Sequence, residues 1–159
     1  LANKQIFSYT HMATAEANNC KIILPVDVVV ANEFKANAEH KIVKIDEIPA
    51  EGWTIVDGGV MTVALIYKEL LDCETLIWNG PLGVFEMKPF DSATNAVAEA
   101  VAELTQNGKI ISVAGGGDTV SALANAGVEK KFSYVSTAGG AFLEWMEGKE
   151  LPGVVVLKK

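Results

Sequence analysis

Lys109-Ile110-Ile111-Ser112-Val113-Ala114-Gly115-Gly116-Gly117-Asp118-Thr119 decides the fold. Its first half is apolar almost without a break, as in a strand covered on both faces. Three glycines end the strand, and Thr119 to Ala126 reads as a helix. The same order occurs on either side. Upstream, Thr75 to Trp78 is a strand, Asn79-Gly80-Pro81-Leu82-Gly83 a loop and Ser92 to Gln106 a helix. That helix sets Val97, Val101 and Leu104 at i, i+4 and i+7, and Asn107-Gly108 is a fitting stop. Downstream, Tyr134 to Ser136 is a strand, Gly139-Gly140 a turn and Ala141 to Glu147 a helix. The alternation predicts an α/β fold, a Rossmann-like three-layer parallel sheet with helices on both faces.

Towards the N-terminus the pattern is less regular. Thr62 to Leu71 puts Val63, Ile66 and Leu70 on one helical face, after a strand from Trp53 to Val56 and the turn residues Asp57-Gly58-Gly59. Ile42 to Ile45 predicts a short edge strand. The β-prone run from Lys21 to Ala31 contains Pro25, so it predicts a short strand, a kink and a second strand. Leu1 to Met12 has no clean period, and the Ala-rich Ala13 to Asn19 reads as the end of a helix.

The bulk properties exclude several classes. A chain of 159 residues, half of them apolar and 21% charged, has the profile of one folded domain. The net charge of -7 and the lack of a Lys/Arg cluster exclude a nucleic-acid surface of the usual kind. An acidic domain that binds a polyanion must use backbone N–H groups, a few lysines or Mg²⁺. Cys20 and Cys73 lie in no CxxC or Cys/His cluster, so a zinc site is not expected. Both read as buried free thiols beside strands, which fits a cytoplasmic compartment. No apolar run approaches the ~18 residues of a membrane span, and no signal peptide is evident. His11 and His40 fall outside the glycine loops and read as surface residues.

Ligands in such a sheet bind beyond the C-terminal strand ends. Three glycine-rich loops are predicted there: Trp78 to Glu86, Ala114 to Thr119 and Ser136 to Ala141. Gly115, Gly116 and Gly117 present backbone N–H groups without side chains, and they lead into a helix whose positive end favours phosphate. Asp118 beside an anion makes sense if it serves Mg²⁺, and Thr119 adds a hydroxyl donor. The plain alternative is that Asp118 is an N-cap and the glycines form only a tight turn. Glu86 is placed either to accept hydrogen bonds from ribose hydroxyls or to stand in solvent. The loops match neither a Walker A sequence nor GxGxxG. Phe85 and the three tryptophans read as packing residues.

Five motifs in one order also carry a family resemblance. They are Leu24-Pro25-Val26-Asp27-Val28, Trp78-Asn79-Gly80-Pro81-Leu82-Gly83-Val84-Phe85-Glu86, Gly115-Gly116-Gly117-Asp118-Thr119, Ser136-Thr137-Ala138-Gly139-Gly140-Ala141 and Glu147-Gly148-Lys149-Glu150-Leu151-Pro152-Gly153. From about Cys20 onward the chain resembles the C-terminal, nucleotide-binding half of the phosphoglycerate kinases. The resemblance implies a hinge-bending kinase of glycolysis that moves a phosphoryl group between 1,3-bisphosphoglycerate and Mg-ADP, giving 3-phosphoglycerate and Mg-ATP. It implies that Asn79, Gly80, Pro81, Gly83 and Val84 line the nucleotide cleft and that Glu86 holds the ribose. It implies that Gly115, Gly116 and Gly117 lie beside the transferring phosphoryl group, that Asp118 serves Mg²⁺ and that Thr119 holds the phosphates.

The resemblance leaves parts of the family unmatched. The basic N-terminal domain that binds 3-phosphoglycerate, and the Gly-Gly-Ala-Lys segment with nucleotide-binding lysines, have no counterpart in these residues. Asp57-Gly58-Gly59-Val60-Met61-Thr62 stands where the family has Asp-Ile-Gly-Pro-Lys-Thr, and Ala138 stands at a position that is often Gly. The expectation is an unassigned lead-in at 1–19 and a partial nucleotide-binding domain at 20–159. By itself the chain is expected to be inactive, while the complete enzyme is expected to be a monomer. Two other readings stay open: a stand-alone nucleotide- or phosphate-binding module without catalysis, and an unrelated flavodoxin-like or Rossmann-like domain.

Overall fold

The computed structural model describes residues 2–157, with side chains from residue 10 onward. Helix α1 spans Ala2–Ala17, followed by strands β1 (Asp27–Ala31), β2 (His40–Lys44) and β3 (Thr54–Gly58). Helix α2 (Val60–Leu70), strand β4 (Thr75–Asn79), helix α3 (Ser92–Gln106) and strand β5 (Ile111–Gly115) come next. The chain continues through α4 (Gly117–Asn125), β6 (Tyr134–Ser136), α5 (Gly139–Met146) and α6 (Pro152–Val155).

The parallel sheet expected from the strand–loop–helix alternation is formed by β4, β5 and β6, in that order. The first three strands form a second sheet, ordered β2-β1-β3 and antiparallel throughout. The apolar run in β1 belongs to a central strand, covered at nearly every residue. Such a run looks alike in either strand direction, because burial on both faces fixes composition and not polarity. β2 lies at the sheet edge, as Ile42 to Ile45 predicted.

One expected strand does not form. Residues 21–26 have no regular structure, and Ile22, Leu24 and Val26 are exposed. Pro25 has no N–H to give a ladder, and the N–H groups of Val26 and Asp27 donate to Thr62 Oγ1 at 3.0 and 3.1 Å. A helix side chain takes the donors that a neighbouring strand would have used. Near the same segment Cys20 is exposed and Cys73 only half-buried, so neither is the buried thiol expected. Among the described residues no helix is long and apolar enough to cross a membrane.

Helix α3 joins the two sheets, touching both β3 and β5. Its Val97, Ala98, Val101 and Ala102 are buried, while Glu99 and Glu103 face out. The alanines let the helix approach closely, and Gly108 at φ 66° ends it with Lys109 N–H donating to Leu104 O. The main core brings these residues together with Leu70, Trp78, Ala114 and Leu123. A smaller core of Ala31, Ala38, Val56 and Phe90 lies under the antiparallel sheet. On the opposite face of β5, Phe142 and Trp145 of α5 line a recess of about 390 Å³ with Val113 and Tyr134.

That second face is only partly covered. Ile111 is 59% exposed and Tyr134 62%, beside the exposed Ile77 and Trp145. A contiguous apolar face next to the edge strand β4 invites association. The chain by itself is expected to self-associate, with a sedimentation coefficient that rises with concentration, and Ile111→Glu is expected to reduce the effect. A wild-type chain that stays monomeric over a wide concentration range would count against this.

Candidate functional site

The three glycine loops meet at one knot beyond the C-terminal ends of β4, β5 and β6. Gly80 N–H donates to Thr119 Oγ1 at 2.6 Å, which ties the first loop to the second. Gly116 N–H donates to Ser136 O at 3.0 Å, which ties the second to the third. Gly139 lies so close to the second loop that a Cβ there would stand 2.6 Å from Gly116 N and 3.0 Å from Asn79 Oδ1. Trp78, buried in the core, donates its indole N–H to Gly80 O at 2.6 Å and so fixes the turn from the strand. Gly80 (φ 105°) and Gly116 (φ 96°) adopt backbone conformations that a side chain would strain.

Two helices begin at this knot. Helix α4 starts at Gly117 with Gly116 as its N-cap, two residues before the predicted start, and no side chain caps it. Helix α5 starts at Gly139, also without a side-chain cap. Their first helical bonds are Val120 N–H to Gly116 O and Phe142 N–H to Ala138 O. The N–H groups ahead of these have no partner within their helices, and both dipoles present positive ends to one edge. Such an edge suits an anion with several oxygens.

Asp118 is exposed in the first turn of α4, so it is not the N-cap that the plain alternative required. Among the described residues no three His, Cys, Asp or Glu side chains cluster as metal ligands. One exposed carboxylate beside two helix N-termini fits Mg²⁺, which keeps most of its waters and takes phosphate oxygens as ligands. Thr119 is buried, and its hydroxyl already accepts from Gly80. Asn79, Gly80, Gly115, Gly116, Gly117, Asp118 and Thr119 thus come together. Pro81, Gly83, Val84 and Glu86 lie further along the first loop, where Phe85 O accepts from Asn125 Nδ2 of α4 at 3.4 Å. Thr119 and Asn125 are six residues apart, so the two loop contacts with α4 are separated by roughly 9 Å along the helix. Glu86 is exposed and Phe85 is buried in the core.

Several residues support the site in ways that their sequence positions do not reveal. Asp27, 4% exposed, accepts the Met61 and Thr62 N–H groups at 3.0 and 2.7 Å and so caps α2 from β1. Burial pushes its carboxyl up, but these bonds together with the Thr62 hydroxyl outweigh it and hold it below the ordinary 3.8. Asp57 accepts from Gly58 N–H and from Ala93 N–H at the start of α3, both at 2.9 Å. Burial pushes its carboxyl up to about 6, against the pull of those two N–H groups and with a further push from Asp91. Asp57-Gly58-Gly59 read only as turn chemistry, because the helices these acids serve are remote in sequence.

Residues 4–149 match the family model described as Phosphoglycerate kinase. Phosphoglycerate kinase of Azorhizobium caulinodans is 57% identical over 148 residues, covering 93% of this chain and 37% of that protein. The enzyme of a Ruegeria species is 60% identical, covering 92% and 37%. The solved phosphoglycerate kinase of Coxiella burnetii superposes with a TM-score of 0.84 at 41% identity, covering 94% and 37%. That of Pyrococcus horikoshii gives 0.75 at 26% identity, covering 99% and 38%. The chain thus spans little more than a third of the length of the relatives it matches. It belongs to the phosphoglycerate kinase family.

Proposed function

We propose that this chain supplies the nucleotide side of a phosphoglycerate kinase, with residues 20–159 forming part of its C-terminal domain. The observation that carries the proposal is the convergence of two uncapped helix N-termini on the Gly116–Gly139 contact. The phosphates of ADP or ATP lie at this edge, held by backbone N–H groups of Gly117 and its neighbours. The nucleoside runs along the first loop past Pro81, Gly83 and Val84, and Glu86 accepts from the ribose hydroxyls. Asp118 holds Mg²⁺, which neutralises phosphate charge when bound.

In the complete enzyme the phosphoryl group leaves the acyl oxygen of 1,3-bisphosphoglycerate as the terminal oxygen of ADP bonds to phosphorus. The products are 3-phosphoglycerate and ATP, with no covalent intermediate on the protein. Gly115, Gly116 and Gly117 stand beside that phosphorus and leave room for its oxygens. Catalysis is by positioning and by electrostatic stabilisation. The substrate acid is held by the N-terminal domain of the complete protein, which acts as a monomer in the cytoplasm, and this chain alone turns over negligibly.

The test is titration with Mg-ADP by calorimetry, beside Asp118→Ala. Saturable 1:1 binding is expected, weakened about tenfold by the variant, or roughly 1.4 kcal/mol. With EDTA the variant is expected to bind ADP no worse than wild type, because a negative charge has gone. Equal loss with and without Mg²⁺ would remove Asp118 from the metal role. No binding by a folded chain would remove the nucleotide site from this piece.

A further inference from the structure

The loop that carries Asn79, Gly80, Val84 and Glu86 is held from outside as well as by its own Phe85 N–H to Gly83 O bond. Leu82 N–H and Gly83 N–H both donate to Thr94 Oγ1, at 3.0 and 3.3 Å. Thr94 belongs to the first turn of α3 and is completely buried. The next residue, Val84, donates its N–H to Val56 O on β3 at 2.8 Å. Gly83 lies directly on the Asp57 carboxylate, and a Cβ there would overlap it and come within 2.6 Å of Phe90 O. Asp57 is in turn fixed to Ala93 N–H, one residue before Thr94. Three successive loop residues therefore rest on one seat built from β3 and the start of α3. At the other end of the loop, Gly80 is tied to Thr119 on α4.

We propose that Thr94 is a positioning residue for nucleotide binding. Its hydroxyl sets the distance between the loop and α4, and with it where Val84 and Glu86 stand relative to the phosphate edge. This rests on the nucleotide reading above and extends it to a residue that touches no nucleotide. The chemistry requires an acceptor without charge at this point. A hydroxyl oxygen can take two N–H groups at once, and its small size fits a site closed by Gly83 and Asp57. Valine has the same shape without the acceptor, so it leaves two partly buried N–H groups without this partner.

Two measurements on the folded chain test the proposal. Hydrogen exchange, without nucleotide, is expected to be about tenfold faster at the Leu82 and Gly83 amides in Thr94→Val and near wild type in Thr94→Ser. Mg-ADP affinity is expected to fall about tenfold in Thr94→Val and less than about twofold in Thr94→Ser. If Thr94→Val does not fold, Thr94→Ala takes its place, with the serine variant as the rescue. Unchanged protection and affinity in the folded valine variant overturns the proposal, and so does an equal loss in the serine variant. A wild-type chain that binds no Mg-ADP sinks the nucleotide reading. The exchange data then judge the seat alone, and slow exchange in the valine variant refutes it.

Discussion

Gly139→Ala is expected to lower stability by about 2–3 kcal/mol and to abolish measurable Mg-ADP binding, although it adds one methyl group. The new Cβ would stand 2.6 Å from Gly116 N and 2.7 Å from Gly116 Cα. These are backbone atoms at the mouth of the knot, and no rotamer change relieves the overlap. Relief requires the third loop to move off the second, which breaks the Gly116 N–H bond to Ser136 O and separates the two helix N-termini. Gly140 supplies the control. A Cβ there meets nothing within 4 Å, and it is helical, so Gly140→Ala is expected to be neutral or to stabilise by up to about 1 kcal/mol. Urea midpoints and Mg-ADP titrations of the two variants decide the matter. Wild-type values for Gly139→Ala would mean that the close contact does not shape the site.

Asp27→Ala is expected to be the most damaging change away from the knot, at about 3–5 kcal/mol, because three charge-assisted bonds are lost together. The carboxylate accepts the Met61 and Thr62 N–H groups and the Thr62 hydroxyl, all at the start of α2. Gly59 in the N-cap position offers no side chain, so the cap comes from Asp27 instead. Against a total stability of roughly 5–15 kcal/mol for a domain, the loss is expected to leave much of the chain unfolded at 37 °C. Asp27→Asn keeps one acceptor and is expected to lose about half as much. A wild-type melt for Asp27→Ala would sink this account of α2.

The pH dependence separates the two buried acids. Asp27 has its folded carboxyl held below 3.8, so its contribution is present above that value and is lost as pH falls through the lower folded one. Asp57 goes the other way. Between 3.8 and about 6 the folded state holds a proton that the unfolded chain has released, so stability declines as pH rises through that window. Urea midpoints are therefore expected to rise as pH is lowered from neutral towards 4 and to fall in stronger acid. Asp57→Asn is expected to flatten the slope between pH 4 and 6. A slope there that survives the substitution would assign it to another group.

The sequence by itself determined the elements from Thr75 to Met146 and the edge they share. In that region local signals agree: Val97, Val101 and Leu104 repeat at helical spacing, Asn107-Gly108 ends the helix, and glycines follow each strand. Five ordered motifs determined the family in the same way, because each is short and local. Only the tertiary structure decided the first sheet. The Val26 and Asp27 N–H groups are taken by Thr62 of α2, more than thirty residues away. It also decided which residues support the loops. Thr94 reads as an ordinary helical threonine and Asp57 as a turn residue, since their partners at Leu82, Gly83 and Ala93 adjoin them only after folding. Periodicity records which face a residue presents to the core. Hydrogen bonds across long sequence separations leave no period, and the seat of this site is made of them.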